Sequence, residues 1–357
     1  MKWKSIISEA WRNTITGTSK TILWLSIFTL LMTIGSLAEV AHTHTITTAA
    51  EEYVRAGGSI SVIQSPENID GAACEALNAL PQVRAAGAIK TQESRITLTV
   101  LPSAPIPQAL VSPTFPKVVS AQTSGLPGII VSDQVRSQLP MKIGDSFPTV
   151  GGEVMISGTY DYPEDGRASG YGYMALIPTA SETTYDQCWV DIWPQSPQVQ
   201  GLLTSVVKNS RRDERSQTTM EQLNSRLGAR FDGQARFQTR NTRFLVWIVG
   251  ALSLCAGIIA LRTRRLEFAS ALHAGAQRQD IRRIIACETL MWLLPAVAFT
   301  ECVSVCVIAS LGALSDTALY VLVHRIVWSS CVCCVIGLCI GWIFTREKHL
   351  FTYFKVR

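Results

Sequence analysis

Clusters of cysteine and histidine are the residues of this chain most typical of metal chemistry. Cys331, Cys333 and Cys334 form a Cys-x-Cys-Cys run, and His42 and His44 form a His-Thr-His pair. Structural zinc takes a complete tetrahedral set of such ligands. The cysteine run lies in an apolar stretch without a nearby histidine or carboxylate, and the histidine pair has no evident third ligand. We therefore expect no metal site: the thiols pack as small apolar side chains, and the histidines are solvated.

Patterns typical of catalysis are also lacking in the sequence. Gly17-Thr18-Ser19-Lys20-Thr21 is the segment nearest to a phosphate-binding loop, but it lacks the first glycine and the spacing of G-x-x-x-x-G-K-[ST]. No Ser/His/Asp set, HExxH motif or pair of carboxylates stands at a usable spacing. The sequence therefore predicts no catalytic residue, no bound cofactor and no enzyme activity of its own.

The composition is typical of a chain that lies partly in lipid. Of its 357 residues, 47% are hydrophobic and only 17% are charged, whereas soluble domains carry about 25% charged residues. Its mean hydropathy is +0.21. These values argue against a cytosolic enzyme, a disordered regulator and a small secreted protein.

Four stretches are long and apolar enough to cross a bilayer, which needs about 20 mostly apolar residues per helix. We predict transmembrane helices at 21–40, 244–261, 286–311 and 326–345, with a polar domain of both strand and helix patterns at 41–240. The predicted fold is a membrane protein of four transmembrane α-helices, with a large α+β extracytoplasmic domain inserted between helices 1 and 2.

The distribution of basic residues predicts the orientation. Residues 41–240 hold 16 Lys+Arg and 19 Asp+Glu, whereas the rest of the chain holds 16 basic and 8 acidic residues. Fourteen of those 16 basic residues lie in three segments, 1–20, 262–285 and 346–357. Because basic flanks stay in the cytoplasm, we place both termini there and 41–240 outside the plasma membrane, with 312–325 as a short outer loop. Basic clusters beside apolar segments indicate membrane topology rather than nucleic-acid binding.

The N-terminal segment allows two further interpretations. Residues 1–20 are apolar at helical spacing, with Trp3, Ile7 and Trp11 among basic residues. Such a helix lies in the membrane interface, or it simply extends the first span. Alternatively, the first apolar run is a signal peptide cleaved near Ser36-Leu37-Ala38, which would leave three spans.

Within the polar domain, the sequence predicts a short helix over Asp70–Leu80 with Asp70 as its N-cap. Pro and Ser dominate 102–127, which predicts a loop or a junction between subdomains, and 195–227 has a polar helical pattern. Cys74 and Cys188 are the only cysteines of this domain. Outside the cell they form a disulfide, or else two free thiols.

Three features stand out in the predicted spans. Glu288 and Glu301 are acidic residues in the third span, where a carboxylate is costly unless it faces the bundle or water. Glu301 either takes part in gating or lies near the outer interface. In the fourth span, Gly337-x-x-x-Gly341 fits close helix approach, within the bundle or across a dimer.

The segment between the second and third spans carries the most specific signal. It reads RRLEFASALHAGAQRQDIRRIIACE over 264–288. We expect the second span to continue as a helix to His273, Gly275 to supply a left-handed turn, and a new helix to begin near Gln277, with the Arg and Glu side chains facing outward. This elbow is either a docking site for a cytosolic partner or an ordinary positive-inside loop.

These residues resemble the coupling segment of ABC-transporter permeases of the MacB/FtsX type. The matching positions are Arg264-Arg265-x-Glu267-Phe268-Ala269, then Ala274-Gly275-Ala276-x-Arg278-x-x-Ile281, and Glu288. The order of one span, a large outer domain and three spans also resembles that family. The chain departs from the usual family residues at Ala271 and Leu272.

The resemblance implies a permease subunit that couples ATP hydrolysis by a separate ATPase to motion of the outer domain. ATP and Mg²⁺ would be bound by that cytosolic ABC ATPase, which contacts Arg264, Arg265, Glu267, Phe268, Gly275 and Arg278. The family works as a dimer, of identical chains or paralogues, in contact with membrane lipid. The implied task is export or extraction of an amphiphile, peptide or lipoprotein. The alternatives are an FtsX-like regulator of an outer partner such as a cell-wall hydrolase, and a ligand-binding membrane receptor.

Overall fold

The structure is a computed structural model that describes residues 3–138, 142–180, 184–195, 197–208 and 218–345. The predicted cytoplasmic tail, 346–357, lies outside the described residues. By its internal contacts the chain divides into two compact units. The helical unit takes the residues up to Thr47 and those from Gly233 onward, and the sheet unit is Thr48–Asp232.

Eleven α-helices occur in the described residues. In chain order they are α1 Trp3–Ile15, α2 Thr21–Arg55, α3 Gly71–Ala76, α4 Phe115–Val118, α5 Asp133–Gln138, α6 Pro197–Leu202, α7 Gly233–Thr239, α8 Leu245–Arg262, α9 Arg265–His273, α10 Arg278–Ser310 and α11 Thr317–Ile343. Short 3₁₀ turns cover Leu77–Ala79, Leu203–Val206 and Asn241–Phe244.

Four of these helices, α2, α8, α10 and α11, are long and apolar enough to cross a membrane. Each keeps large apolar side chains exposed along its length, such as Ile22, Leu252, Leu294 and Val332, as lipid-facing surfaces do. The α11 helix begins at Thr317, capped by the Asp316 carboxylate, which accepts from the Ala318 amide at 3.0 Å. It therefore starts earlier than the apolar run from residue 326 that marked the fourth span.

Close backbone approach holds α8 against α11. A Cβ atom on Gly257 would lie 2.5 Å from the carbonyl oxygen of Cys334, and one on Gly337 would overlap that of Leu254. One turn before Gly257 and Cys334, the Ser253 and Ser330 hydroxyls are hydrogen-bonded at 2.6 Å. The small-residue face that holds Gly337 and Gly341 thus packs within the chain, and Gly257, on the facing helix, is its counterpart.

The α2 helix packs on α10 through apolar contacts at one place and a hydrogen bond at another. Near the end that carries the basic segments, the rings of Phe28 and Trp292 lie 4.9 Å apart. Further along, the Thr33 and Thr300 hydroxyls lie 3.1 Å apart. Apolar packing therefore gives way to hydrogen bonding along the same pair of helices.

The sheet unit is built on one ten-stranded sheet of mainly antiparallel strands. Its strands are β1 Ile60–Asp70, β2 Val83–Leu98, β3 Leu101–Val111, β4 Gln122–Thr123, β5 Ile129–Ser132, β6 Ser146–Thr149, β7 Gly152–Tyr160, β8 Ala175–Pro178, β9 Thr184–Ile192 and β10 Thr219–Gln222. The order is β10-β1-β9-β2-β3-β8-β5-β7-β4, with β6 pairing to β2 and β7. Among the strand pairs of the described residues, β3–β8 and β5–β7 alone are parallel.

The central strands bury both faces of this sheet. Trp189 packs into one core with Phe115, whereas its neighbours Cys188 and Val190 belong to the core on the opposite face. This alternation follows from the two-residue period of a strand. On the second face, Cys74 of α3 and Cys188 of β9 form a disulfide with Cα atoms 6.0 Å apart. The Asp70 carboxylate caps α3 by accepting from the Ala72 and Ala73 amides.

Two sequence expectations for this unit are wrong. The proline-rich 102–127 region is not a loop, since it contains most of β3, and α4 and β4. Prolines are tolerated in β3 because its β8 neighbour pairs only with Gln108–Val111, which leaves the Pro102–Pro107 part open on that side. The 195–227 region is not all helical either, since Thr219–Gln222 pairs with β1. That strand has mostly exposed side chains, so no apolar alternation marked it.

We predict that Gly337→Ala destabilises the helical unit and that Gly341→Ala does not. The added methyl at 337 meets backbone, and overpacking of this kind costs about 1–3 kcal/mol. At 341 it meets the Leu261 Cβ at 3.0 Å, and alanine gains about 1 kcal/mol of helix propensity over glycine. The thermal unfolding midpoints of both full-length variants in detergent are the measurement. Equal shifts would contradict the proposed α8–α11 contact.

Candidate functional site

The predicted elbow is present, but it is built from three pieces rather than two. The α8 helix ends at Arg262, the chain turns at Thr263 and Arg264, and the short helix α9 follows. The expectation that α8 continues unbroken to His273 is therefore wrong. The break turns the Arg264 side chain inward, against the helices, instead of leaving it on a continuous helix surface.

Gly275 ends α9 in a Schellman motif. Its φ is +92°, its amide donates to the Leu272 carbonyl at 3.0 Å, and the Ala276 amide donates to the Ala271 carbonyl at 3.1 Å. No atom of the described residues lies within 4 Å of a Cβ built at this position. Glycine is therefore required for its backbone conformation and not for space.

Arg264 is the centre of a buried hydrogen-bonded network. Its guanidinium donates to Glu267, from Nε at 2.9 Å and Nη2 at 2.6 Å, and to Glu288 through Nη1. The Asn13 amide donates to the Glu288 carboxylate at 2.7 Å. Burial opposes the charged guanidinium, but its hydrogen bonds to Glu267 and Glu288 outweigh this effect and raise the pKa of Arg264. The network therefore joins α1, α9 and α10 through a permanent charge.

Burial of this network contradicts the expected outward orientation for Arg264, although Glu267, Arg265 and Arg278 keep accessible surface. The side chains of Arg264 and Glu288 are only 9% and 5% exposed. Glu267 keeps 40% of its surface, so only this third member faces solvent substantially. A buried carboxylate requires a partner, and Arg264 is the partner that the break after α8 supplies.

Apolar side chains support the network from one side. The Arg264 guanidinium lies 4.7 Å above the Phe268 ring, which meets the Trp342 ring edge-on at 6.3 Å. Phe268 forms a small core with Leu261, Leu272 and Ile281. A cavity of about 30 Å³ lies beside Arg264, Phe268 and Glu288. The base of the elbow is thus packed on both α8 and α11.

The tip of the elbow is exposed. Every residue over 273–279 is exposed, including Gly275 and Arg278, whereas Arg265 is half-buried. The six coupling residues named from the sequence therefore divide into a buried pair, Arg264 and Phe268, and four with accessible surface. A surface of this kind can bind a partner without disturbing the buried base.

Helix α1 packs against α10 through Ile6 and Ala10, which are buried. Its opposite side exposes Trp3, Ile7 and Trp11. Asn13 lies on the same side of α1 as Ile6 and Ala10, and its contact with Glu288 was not among the predictions from the sequence. Its spacing from Ile6 and Ala10, seven and three residues, was the available signal, since those positions share one helix face.

The other candidate residues lie apart from the elbow. Glu301 hydrogen-bonds His324 of α11 at 2.9 Å, with side chains 27% and 55% exposed. His42 and His44 are half-buried on α2. The eight cysteines of the apolar helices are free thiols, Cys255, Cys287, Cys302, Cys306, Cys331, Cys333, Cys334 and Cys339.

Comparison with known proteins gives only weak likenesses. No protein-family model and no curated protein matches the sequence. The periplasmic region of MacB from Actinobacillus actinomycetemcomitans is similar at 8% identity and a TM-score of 0.36, over 48% of this chain and 92% of that one. A domain of a protein described as a permease, from Porphyromonas gingivalis, is similar at 11% identity and a TM-score of 0.33, over 51% of this chain and 97% of that one. The extracellular domain of the ABC-type transporter YknZ from Gram-positive bacteria is similar at 13% identity and a TM-score of 0.29, over 40% of this chain and 87% of that one. Likenesses at these scores are too weak to assign a function.

We predict that Glu288→Ala destabilises the chain by about 3 kcal/mol or more, because it removes the buried carboxylate partner of Arg264 and leaves that buried charge with only the half-exposed Glu267. Glu267→Ala is the matched control. It removes a half-exposed carboxylate from the same guanidinium and costs about 1 kcal/mol or less. Chemical unfolding of the full-length chain in detergent measures both. Similar losses for the two variants would contradict the central role of the Arg264–Glu288 pair.

Proposed function

We propose that this chain is the membrane subunit of an ABC transporter complex. A separate cytosolic ATPase binds ATP and Mg²⁺ and docks on the exposed tip of the elbow. Four membrane-crossing helices carry its movement to the domain at 41–240, which lies outside. The task is export or extraction of an amphiphile, peptide or lipoprotein, performed by two such subunits, either identical or paralogous.

The single observation that carries this proposal is the buried Arg264 network beneath the exposed elbow. An ordinary loop between two spans needs no buried ions at its base, since desolvating a charge is costly. Here one guanidinium joins the elbow to α10, and through Asn13 to α1. Displacing the elbow therefore moves these helices with it, because separating them would leave a buried charge unpaired.

The division between buried base and exposed tip also supports the proposal. The tip, 273–279, is exposed and held in one conformation by the Schellman motif, so a partner meets a preformed surface. The base is packed by Phe268 and Trp342. A rigid lever needs both properties, an accessible end and a fixed attachment.

We predict that Gly275→Ala uncouples ATP hydrolysis from the membrane subunit. A residue with a Cβ pays about 1–2 kcal/mol in a left-handed conformation, so the tip changes shape. The measurement is ATPase activity of the full-length chain co-purified with the ABC ATPase of a neighbouring gene, with and without the substitution. We expect at least a severalfold loss of the stimulation that the membrane subunit gives.

Gly312→Ala is the matched control. Gly312 follows α10 with φ +70°, has open space around its Cβ position, and forms the same pair of backbone hydrogen bonds as Gly275. It lies on the predicted outer side, so its strain should not affect coupling. Unchanged coupling in both variants would overturn the docking role of the elbow.

Cysteine labelling of Ala276 and Ser124 tests the topology independently, since both residues on one side of the membrane would exclude the proposal.

A further inference from the structure

Two arginines depart from the charge distribution of the membrane part of the chain. Of the 16 basic residues outside 41–240, all but Arg243 and Arg325 lie in the three predicted cytoplasmic segments. Arg243 comes just before α8, and Arg325 lies where the fourth apolar run begins. Both therefore lie away from the elbow, Arg243 just before α8 and Arg325 about two turns into α11.

The structure brings these two arginines to one place. They line the same small cavity as Glu39 of α2 and Arg240 and Thr242 of the segment before α8. The cavity has a volume of about 10 Å³, which is the size of one water molecule. A larger ligand must therefore bind at its mouth, where Arg243 and Arg325 are exposed.

The inner side of the cavity is already neutralised. The Arg240 guanidinium donates to one Glu39 oxygen, from Nε at 2.9 Å and Nη2 at 2.7 Å, and to the Phe237 carbonyl at 2.6 Å. The two side chains are 7% and 4% exposed. This buried pair leaves the charge at the mouth of the cavity unbalanced.

The outer side keeps two positive charges. Arg243 uses Nη1 to donate to the Gln238 carbonyl at 2.9 Å, and its guanidinium lies 4.4 Å from the centre of the Phe244 ring. Arg325 makes no hydrogen bond or ion pair with any residue that the structure describes. Since each guanidinium has five N–H donors, most donors of both residues are available to a ligand.

Exposed aromatic residues surround the two arginines. Phe244 and Trp247 on one side are 50% and 72% exposed, and Trp328, one turn from Arg325, is 67% exposed. Tryptophan concentrates at the headgroup level of a bilayer, where lipid phosphates lie. Large apolar side chains beside uncompensated guanidinium groups fit a ligand with an anionic head and an apolar body.

We propose that Arg243 and Arg325 bind the phosphate of an anionic lipid in the outer leaflet, between the start of α8 and the third turn of α11. Guanidinium groups bind phosphate oxygens through paired, charge-assisted hydrogen bonds. The acyl chains lie along Trp247 and Trp328. This inference rests on the membrane placement in the proposed function but requires no ATPase partner.

The test measures lipid retained by the full-length chain in phosphatidylcholine nanodiscs that contain a small fraction of phosphatidylglycerol, by native mass spectrometry. Arg243→Gln with Arg325→Gln is compared with Arg262→Gln with Arg282→Gln, which removes equal charge from the exposed opposite end. We expect the first pair to weaken phosphatidylglycerol binding by about tenfold or more, since charge-assisted hydrogen bonds are lost. The second pair should change it by less than about twofold.

Equal losses in the two double variants would show diffuse attraction to the bilayer and would overturn the site. Displacement of phosphatidylglycerol by millimolar inorganic phosphate would point to a free-anion site and would also overturn the lipid assignment. An unchanged unfolding midpoint in phosphatidylcholine alone shows that the variants fold. Because no ATPase is present, these outcomes are separate from the coupling measurements on Gly275.

Discussion

The buried charge of Glu288 constrains the whole elbow end of the helical unit. A carboxylate at this depth, 5% exposed, is tolerated only if a cation reaches it. The cation is Arg264, and it reaches Glu288 because the chain breaks between α8 and α9 instead of continuing as one helix. The break in turn fixes where α9 lies and where Gly275 must turn the chain back. The position of the elbow thus follows from one electrostatic requirement.

A second buried pair fixes the other end of the same helix. Arg240 precedes α8 and pairs with Glu39 of α2, whereas Arg264 follows α8 and pairs with Glu288 of α10. Between these two pairs, α8 packs on α11 through Gly257 and Gly337, which permit backbone contact. Polar interactions therefore hold the ends of α8 and steric fit holds its middle. In a bilayer this arrangement is effective, because lipid competes poorly for charges but well for apolar contacts.

Much of the helical unit could be predicted from the sequence, since an apolar run of about 20 residues is typical of a membrane-crossing helix. The turn at Gly275 was also predictable, because a glycine after a helix has a specific backbone role. The inward direction of the Arg264 side chain was not predictable, because a basic residue beside a span is usually solvated. Only the depth of Glu288 in the structure reveals that Arg264 is buried. In the sheet unit, the capping side chain of Asp70 predicted the helix that follows it. Thr219–Gln222 gave no signal, since that strand is held by backbone pairing and not by an apolar face.

The arginines of the helical unit differ in whether they have a carboxylate partner, and this difference supports the lipid site. Arg240 and Arg264 each donate to a buried carboxylate, Glu39 and Glu288 respectively, so they are fixed parts of the bundle. Arg243 and Arg325 lie close to one of these pairs yet make no ion pair among the described residues. Their exposure among tryptophans leaves their donors accessible to an anionic group at the membrane surface. The structural arginines therefore face inward to carboxylates, and the two that remain face the surface where an anionic lipid supplies the missing charge.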